Sequence, residues 1–177
     1  MRWKPHVDGA GQVFGLSHLH PFRYEVTLEA KAGLPARVVL VHVGFGMHCF
    51  TRKSESNDDP GSRYTDDRET RTFSLERYQL SRELPKIVRT LGVRRCGFAK
   101  DDNYVTVDLP TVDGQSIRYA VFFNVKAWRE QGIDSVLLVV QSAYVLSTGK
   151  PDPGKGKVGF NVLLGSVLRG QRPRKPR

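Results

Sequence analysis

The chain has 177 residues, of which 39% are hydrophobic and 10% aromatic, a composition that supports one folded domain and excludes a disordered chain. Its 28 Lys and Arg residues outnumber 18 Asp and Glu residues, and the resulting formal charge of +10 favours polyanionic partners such as nucleic acid. The longest aliphatic run spans only residues 136–140, which excludes a membrane-spanning helix of roughly 20 apolar residues.

The N-terminus and the cysteines indicate the compartment. Residues 1–11 contain no apolar stretch that would serve as a signal peptide. Cys49 and Cys96 have no CxxC partner, so neither a disulfide framework nor a zinc knuckle is indicated. We therefore expect reduced thiols in a cytoplasmic protein with no membrane association.

The first predicted elements are two antiparallel strands, at residues 23–28 and 37–45. Both segments are rich in Val, Leu, Phe and Tyr, and the Gly and Pro of residues 31–35 separate them. An acidic surface loop is predicted next, at residues 55–69, because six acids there face only two arginines and turn-forming residues interrupt the segment.

A helical pattern follows the acidic loop, with apolar residues recurring on one helix face. Pro85 lacks an amide hydrogen, so either Ser81 caps one main helix with Pro85 in its first turn, or the segment forms two short pieces. The residues that define the apolar face are Leu80, Leu84, Ile87, Val88 and Leu91.

The C-terminal half predicts a β-meander. Residues 104–109 and 116–125 alternate between apolar and polar positions, and the pair Asp113 and Gly114 marks the turn between them. Residues 135–146 begin apolar on both faces, which predicts a central strand covered on both sides. Residues 158–168 fit either an edge strand or a short helix.

These patterns predict an α+β fold, with an antiparallel β-sheet and one main helix packed on it. Residues 1–168 would form this single domain, and residues 169–177 a flexible basic tail, because two prolines there oppose a packed element. The tail is the predicted nucleic-acid-binding segment. Its five basic residues are Arg169, Arg172, Arg174, Lys175 and Arg177.

Histidines and arginines beside the ends of the first two strands are the candidate catalytic groups. Proton transfer is assigned to His48 or His20, because an imidazole titrates near neutral pH. Arg52 or Arg71 would stabilise a phosphate group. His18 shares a strand face with His20, although His18 and His48, taken singly, are more typical of ordinary hydrogen-bonded histidines.

Residues 66–82 concentrate Arg, Glu and Tyr, the groups that metal-independent ribonucleases use, although a solvated helix face explains them equally well. Metal sites built from the histidines with Cys49, or from Asp66, Asp67 and Glu69, and a Cys49 nucleophile are weaker alternatives. No phosphate-binding loop is present, and neither a metal nor a cofactor is predicted. The aromatic candidates for base stacking are Tyr104, Tyr119, Phe122 and Trp128.

Three segments resemble a family of small proteins from bacterial mobile elements, sometimes labelled stationary-phase growth adaptation proteins. They are HCFTR at residues 48–52, DDRETR at residues 66–71 and RYQLSRELP at residues 77–85. The resemblance implies a bacterial, cytoplasmic accessory protein and transfers no catalytic residue.

The leading functional hypothesis is a nucleic-acid-directed protein, with RNA favoured, acting as a metal-independent ribonuclease of the toxin type. The alternative is a non-enzymatic protein that binds nucleic acid or inhibits a host complex that itself binds nucleic acid. Both hypotheses account for the positive charge, so the sequence leaves open whether the protein is an enzyme, and it leaves the oligomeric state open as well.

Overall fold

A computed structural model gives the fold and describes residues 2–30, 33, 35–99, 103–111, 114–130, 132–149, 151 and 153–171. Two sequence predictions lie outside these residues. One is the part of the basic tail that holds Arg172, Arg174, Lys175 and Arg177, and the other is Asp113 of the predicted turn.

Twelve strands are found in the described residues, and they form three sheets. One small sheet consists of β1 and β2, and the other has three strands in the order β5-β7-β6. The large sheet has seven strands in the order β12-β8-β9-β10-β11-β4-β3. The strands are β1 (His6–Val7), β2 (Val13–Phe14), β3 (Phe22–Leu28), β4 (Arg37–His48), β5 (Thr51–Arg52), β6 (Arg63–Thr65), β7 (Thr70–Phe73), β8 (Arg95–Phe98), β9 (Asn103–Pro110), β10 (Ser116–Glu130), β11 (Ile133–Val145) and β12 (Lys155–Gly159).

The predicted meander is confirmed, because β8, β9, β10 and β11 are successive antiparallel neighbours in the large sheet. The first two predicted strands are confirmed as the antiparallel pair β3 and β4. The prediction of a purely antiparallel sheet is wrong, since β11 runs parallel to β4. A hairpin forces its two strands to be antiparallel, whereas β4 and β11 are joined by a long excursion that permits either direction.

The segment around Pro85 forms two short helices, α1 (Leu75–Ser81) and α2 (Leu84–Arg89), so the two-piece alternative is correct. The residue that caps α1 is Ser74, whose hydroxyl accepts a hydrogen bond from the amide of Arg77 at 3.3 Å. Of the predicted apolar face, Leu80 is partly buried and the other four residues are buried.

A third helix, α3 (Phe160–Leu168), follows directly after edge strand β12, so the ambiguous segment at 158–168 contains both a strand end and a helix. This helix packs against β10 and β11. The α+β class holds, and the predicted main helix is present as the bent pair α1 and α2, with α3 as an additional helix. No helix in the part of the chain that the structure describes is long and apolar enough to cross a membrane.

The main core lies on the face of the large sheet that the helices cover, where the side chains of Val39, Val41 and Val43 from β4 are buried. The opposite face, here called the outer face, carries the alternate residues of the same strands. On β11 the outer residues Leu137 and Val139 are only half-buried, so this central strand is less completely covered than predicted. The candidate site lies on this outer face, at the end of β4.

Candidate functional site

His48 is the last residue of β4, and its side chain makes the central contact of the site. Its Nε2 lies 2.8 Å from Oε1 of Glu69, and Nη1 of Arg71 lies 3.4 Å from the other carboxylate oxygen. The side chains of His48 and Glu69 are 42% and 41% exposed, so solvent or a substrate reaches them. Two of the four predicted catalytic residues, His48 and Arg71, therefore meet through a shared carboxylate.

A tight turn between β6 and β7 places Glu69 opposite His48. The carboxylate of Asp66 accepts hydrogen bonds from the amides of Arg68 at 2.9 Å and Glu69 at 3.0 Å. The amide of Asp66 in turn donates to the carbonyl of Glu69 at 3.1 Å. Asp side chains stabilise turns in this way because they satisfy backbone donors two and three residues ahead.

Arg77, in the first turn of α1, fixes the backbone beneath His48. Its Nη1 donates to the carbonyl of His48 at 3.1 Å and to the carbonyl of Thr51 at 2.9 Å, and its guanidinium lies 5.6 Å from the ring centre of Tyr144. Burial lowers the pKa of Arg77, and the nearby charge of Arg71 lowers it further. The guanidinium groups of Arg71 and Arg77 therefore lie close to each other, and Glu69 is the carboxylate between His48 and Arg71.

The charge state of Glu69 determines which nitrogen of His48 holds the proton. Burial alone would raise the pKa of Glu69, but the hydrogen bond and charge of His48, together with Arg71, lower it. The ionised carboxylate can only accept, so Nε2 of His48 must donate the proton in this contact. In the neutral ring this tautomer leaves Nδ1 as the basic nitrogen.

Arg52 is engaged elsewhere. Its guanidinium forms a two-pronged ion pair with Asp58, whose carboxylate also accepts from the hydroxyl of Thr72 at 2.6 Å. The hydrogen bonds from Arg52 and Thr72 hold the pKa of Asp58 well below its usual range. Arg52 thus links the acidic loop to the three-stranded sheet β5-β7-β6, and its contacts do not connect it with Glu69.

His20 and His18 lie beside the N-terminal segment and the end of α1. Nε2 of His20 is 3.3 Å from the carbonyl of Trp3, and Nε2 of His18 is 2.8 Å from the hydroxyl of Ser81. Burial lowers the pKa of His18, followed by the charges of Arg82 and His20. No contact between described residues links either histidine to Glu69, so the structure does not bring them into the His48 group.

Metal and thiol chemistry find little support in this arrangement. Within the described residues, no group of three or more His, Cys, Asp or Glu side chains is placed to hold a metal ion. Burial raises the pKa of Cys49 to about 12, which keeps its thiol protonated and poorly nucleophilic at neutral pH.

Comparison with known proteins places the chain in a family. The model of the YjaZ family matches residues 5–168. The chain belongs to the YjaZ family. Neither the curated proteins nor the solved structures contain a match.

In this YjaZ family chain, the sequence pattern identified some site residues only as members of a longer segment. Glu69 and Arg77 belong to the Arg-rich and Glu-rich stretch at 66–82, and Glu69 was singled out there only as an alternative metal ligand. Tyr144 and His42 were missed. The signal for His42 was available, because residues 42, 44, 46 and 48 alternate along one strand and so share its outer face.

The aromatic residues of this YjaZ family chain that were predicted to stack on bases differ in their exposure to solvent. Tyr104, Tyr119 and Phe122 are nearly inaccessible, and the ring of Phe122 lies between those of Tyr104 and Tyr144 at centroid distances of 5.8 and 5.2 Å. Trp128, in contrast, is 48% exposed on the outer face. It is the member of the predicted set that is accessible to a ligand.

Proposed function

We propose that this protein acts on RNA in the bacterial cytoplasm as a metal-independent ribonuclease, and that His48, Glu69 and Arg71 form its active site. The observation that carries the proposal is the 2.8 Å contact between His48 and Glu69, with Arg71 on the second carboxylate oxygen. A histidine oriented by a carboxylate and flanked by guanidinium groups supplies both proton transfer and phosphate stabilisation.

The reaction follows from the protonation state of His48. Nδ1 of His48 removes the proton from a ribose 2′-hydroxyl, and the 2′-oxygen then bonds to the adjacent phosphorus. Arg71 and Arg77 stabilise the negative charge that develops on the phosphate oxygens. The bond from phosphorus to the 5′-oxygen breaks, and that oxygen takes a proton from water. The hydroxide that remains takes the proton from Nδ1 of His48, which restores the neutral imidazole. Glu69 stabilises the imidazolium that forms, as a buried carboxylate does in hydrolase triads.

The cellular role in this proposal is that of a toxin module from a mobile element. Residues 48–52, 66–71 and 77–85 resemble proteins of bacterial mobile elements, a resemblance that agrees with this setting and assigns no activity. The two free, buried cysteines agree with a reducing compartment.

Cleavage of labelled RNAs by the purified protein tests this activity. We expect cleavage in EDTA, with a pH-dependent limb that is absent in His48→Ala, and a rate loss of about 10²-fold or more in His48→Ala and Glu69→Gln. Arg71→Ala removes phosphate stabilisation and is expected to lower the rate by about 10²-fold. His20→Ala and Arg52→Ala test the contribution of the two other predicted catalytic residues to the cleavage rate in the same assay.

The control is Arg63→Ala, which changes an exposed arginine of β6 and should cleave like the wild type. Thermal melting of every variant separates loss of chemistry from loss of folding. A broad RNA panel left intact between pH 5 and 9 would end the enzyme proposal.

The alternative function is non-enzymatic binding of nucleic acid, or inhibition of a host complex that binds it. The formal charge of +10 and the two neighbouring guanidinium groups support this alternative as well. It is favoured if the wild type binds RNA, leaves it intact, and binds it equally well as His48→Ala.

A further inference from the structure

A groove on the outer face of the large sheet adjoins the His48 group. It has a volume of about 700 Å³ and includes Gly46 and Arg68 in its lining. His48 lies two residues beyond Gly46 on the same face of β4, and Glu69 follows Arg68 in the chain. One end of the groove therefore adjoins the proposed active site.

The other end of the groove is aromatic and apolar. Trp128 lies there with its ring centre 5.9 Å from that of His42, and Leu137 and Val139 line the floor. Gly44 pairs with Val139 of the neighbouring strand, and a Cβ atom at this position would have no atom within 4 Å. The floor thus leaves open space beside an exposed indole, which is the setting that accepts a flat, unpaired base.

The charges around the groove are suited to a phosphate backbone. Arg23 and Arg68 line the groove, and no carboxylate is found among the described residues that line it. Lys126 is exposed and lies opposite Leu137 on the same face. Asp66 accepts from Arg68 at 2.9 Å, but the Arg68 side chain is 68% exposed and remains accessible to a phosphate.

We propose that this groove binds single-stranded RNA, with a base stacked on Trp128 and the backbone held by Arg23 and Arg68. The inference deepens the proposed ribonuclease function and rests on it for the identity of the ligand. His48 lies six positions after His42 along the extended strand, a distance of roughly 20 Å, so the substrate is an oligonucleotide rather than a single nucleotide. A duplex keeps its bases stacked inside and is a poorer ligand for this site.

Fluorescence anisotropy with labelled single-stranded RNA 12-mers tests the groove, with the same sequences as duplex RNA and as single-stranded DNA for comparison. All titrations use the His48→Ala background so that the RNA is not consumed. Trp128→Ala removes the stacking surface and is expected to weaken binding by about 5- to 150-fold, the effect of one base–aromatic stack. Gly44→Val fills the open floor and is expected to weaken binding as well.

The matched control is Val38→Ala. Val38 lies on the same strand and face as Gly44 but outside the groove lining, and its side chain is 52% exposed. Tryptophan fluorescence gives a second readout, because Trp3 and Trp128 both line the groove but only Trp128 is exposed. RNA should quench the emission, and Trp128→Phe should remove most of that quenching.

The outcomes separate the two proposals. The groove proposal is overturned if Trp128→Ala and Gly44→Val bind RNA as tightly as Val38→Ala, or if duplex RNA binds as tightly as single strands. If the groove variants lose binding but the wild type never cleaves RNA, the groove proposal holds and the ribonuclease proposal fails. If the wild type cleaves and the groove variants bind normally, the groove proposal alone fails.

Discussion

Truncation of Leu84 tests the packing that places α1 and α2 beside the sheet. Leu84 begins α2 immediately before Pro85, and its side chain is fully buried. The helix packs against the turn at Ser17–Leu19 and the turn at Leu91–Val93. Leu84→Ala would therefore leave a cavity in the main core.

The expected loss of stability follows from this complete burial. Removing three buried carbon groups, at about 0.8 kcal/mol each, lowers the free energy of unfolding by about 2.4 kcal/mol. The cavity left behind adds to this, so the total loss is expected to be about 2.7 to 5 kcal/mol. For a chain of this length, that loss corresponds to a decrease in melting temperature of about 5 to 20 °C.

Urea denaturation and thermal melting measure this loss, and Leu75→Ala is the matched control. Leu75 belongs to α1 but is 51% exposed, so its truncation is expected to change the free energy of unfolding by no more than about 0.5 kcal/mol. Equal effects of the two substitutions would show that α2 does not pack as described.

Two further predictions concern the tail and pH. Deletion of residues 169–177 should weaken the binding of unrelated nucleic acids to a similar extent. It should also reduce the slope of log affinity against log salt concentration by about 0.7 for each lost contact to a single-strand phosphate. Unchanged affinity and slope would show that the tail does not contact phosphates. Burial lowers the pKa of His6, partly opposed by Asp8, so the unfolded chain binds the proton more readily. The stabilisation from neutral His6 is complete above pH 6.5 and is lost as the pH falls through the lower pKa of the folded state, so the melting temperature should fall as the pH is lowered from 6.5 towards that pKa. His6→Phe should show a smaller fall in this range, and an equal fall would assign the effect to other groups.

The ribonuclease and groove proposals depend on tertiary contacts that local pattern does not encode. His48, Glu69 and Arg71 lie on β4, on a turn and on β7. They meet because β5 begins just after β4 ends and pairs with β7 in the three-stranded sheet. Sequence analysis named all three residues but did not select Glu69 as the partner of His48. It also included Arg52, which the structure pairs with Asp58 instead.

The sequence by itself determined the faces of the elements. Alternation along β9 and β10 predicted their two sides, and the helical spacing of Leu84, Ile87 and Val88 predicted which side chains are buried. Only the tertiary structure decided which elements are neighbours, including the parallel pairing of β4 with β11 and the approach of Trp128 to His42. The physical reason is that periodicity reflects the side-chain geometry of one element, whereas pairing depends on closing long loops and burying apolar surface across the whole chain.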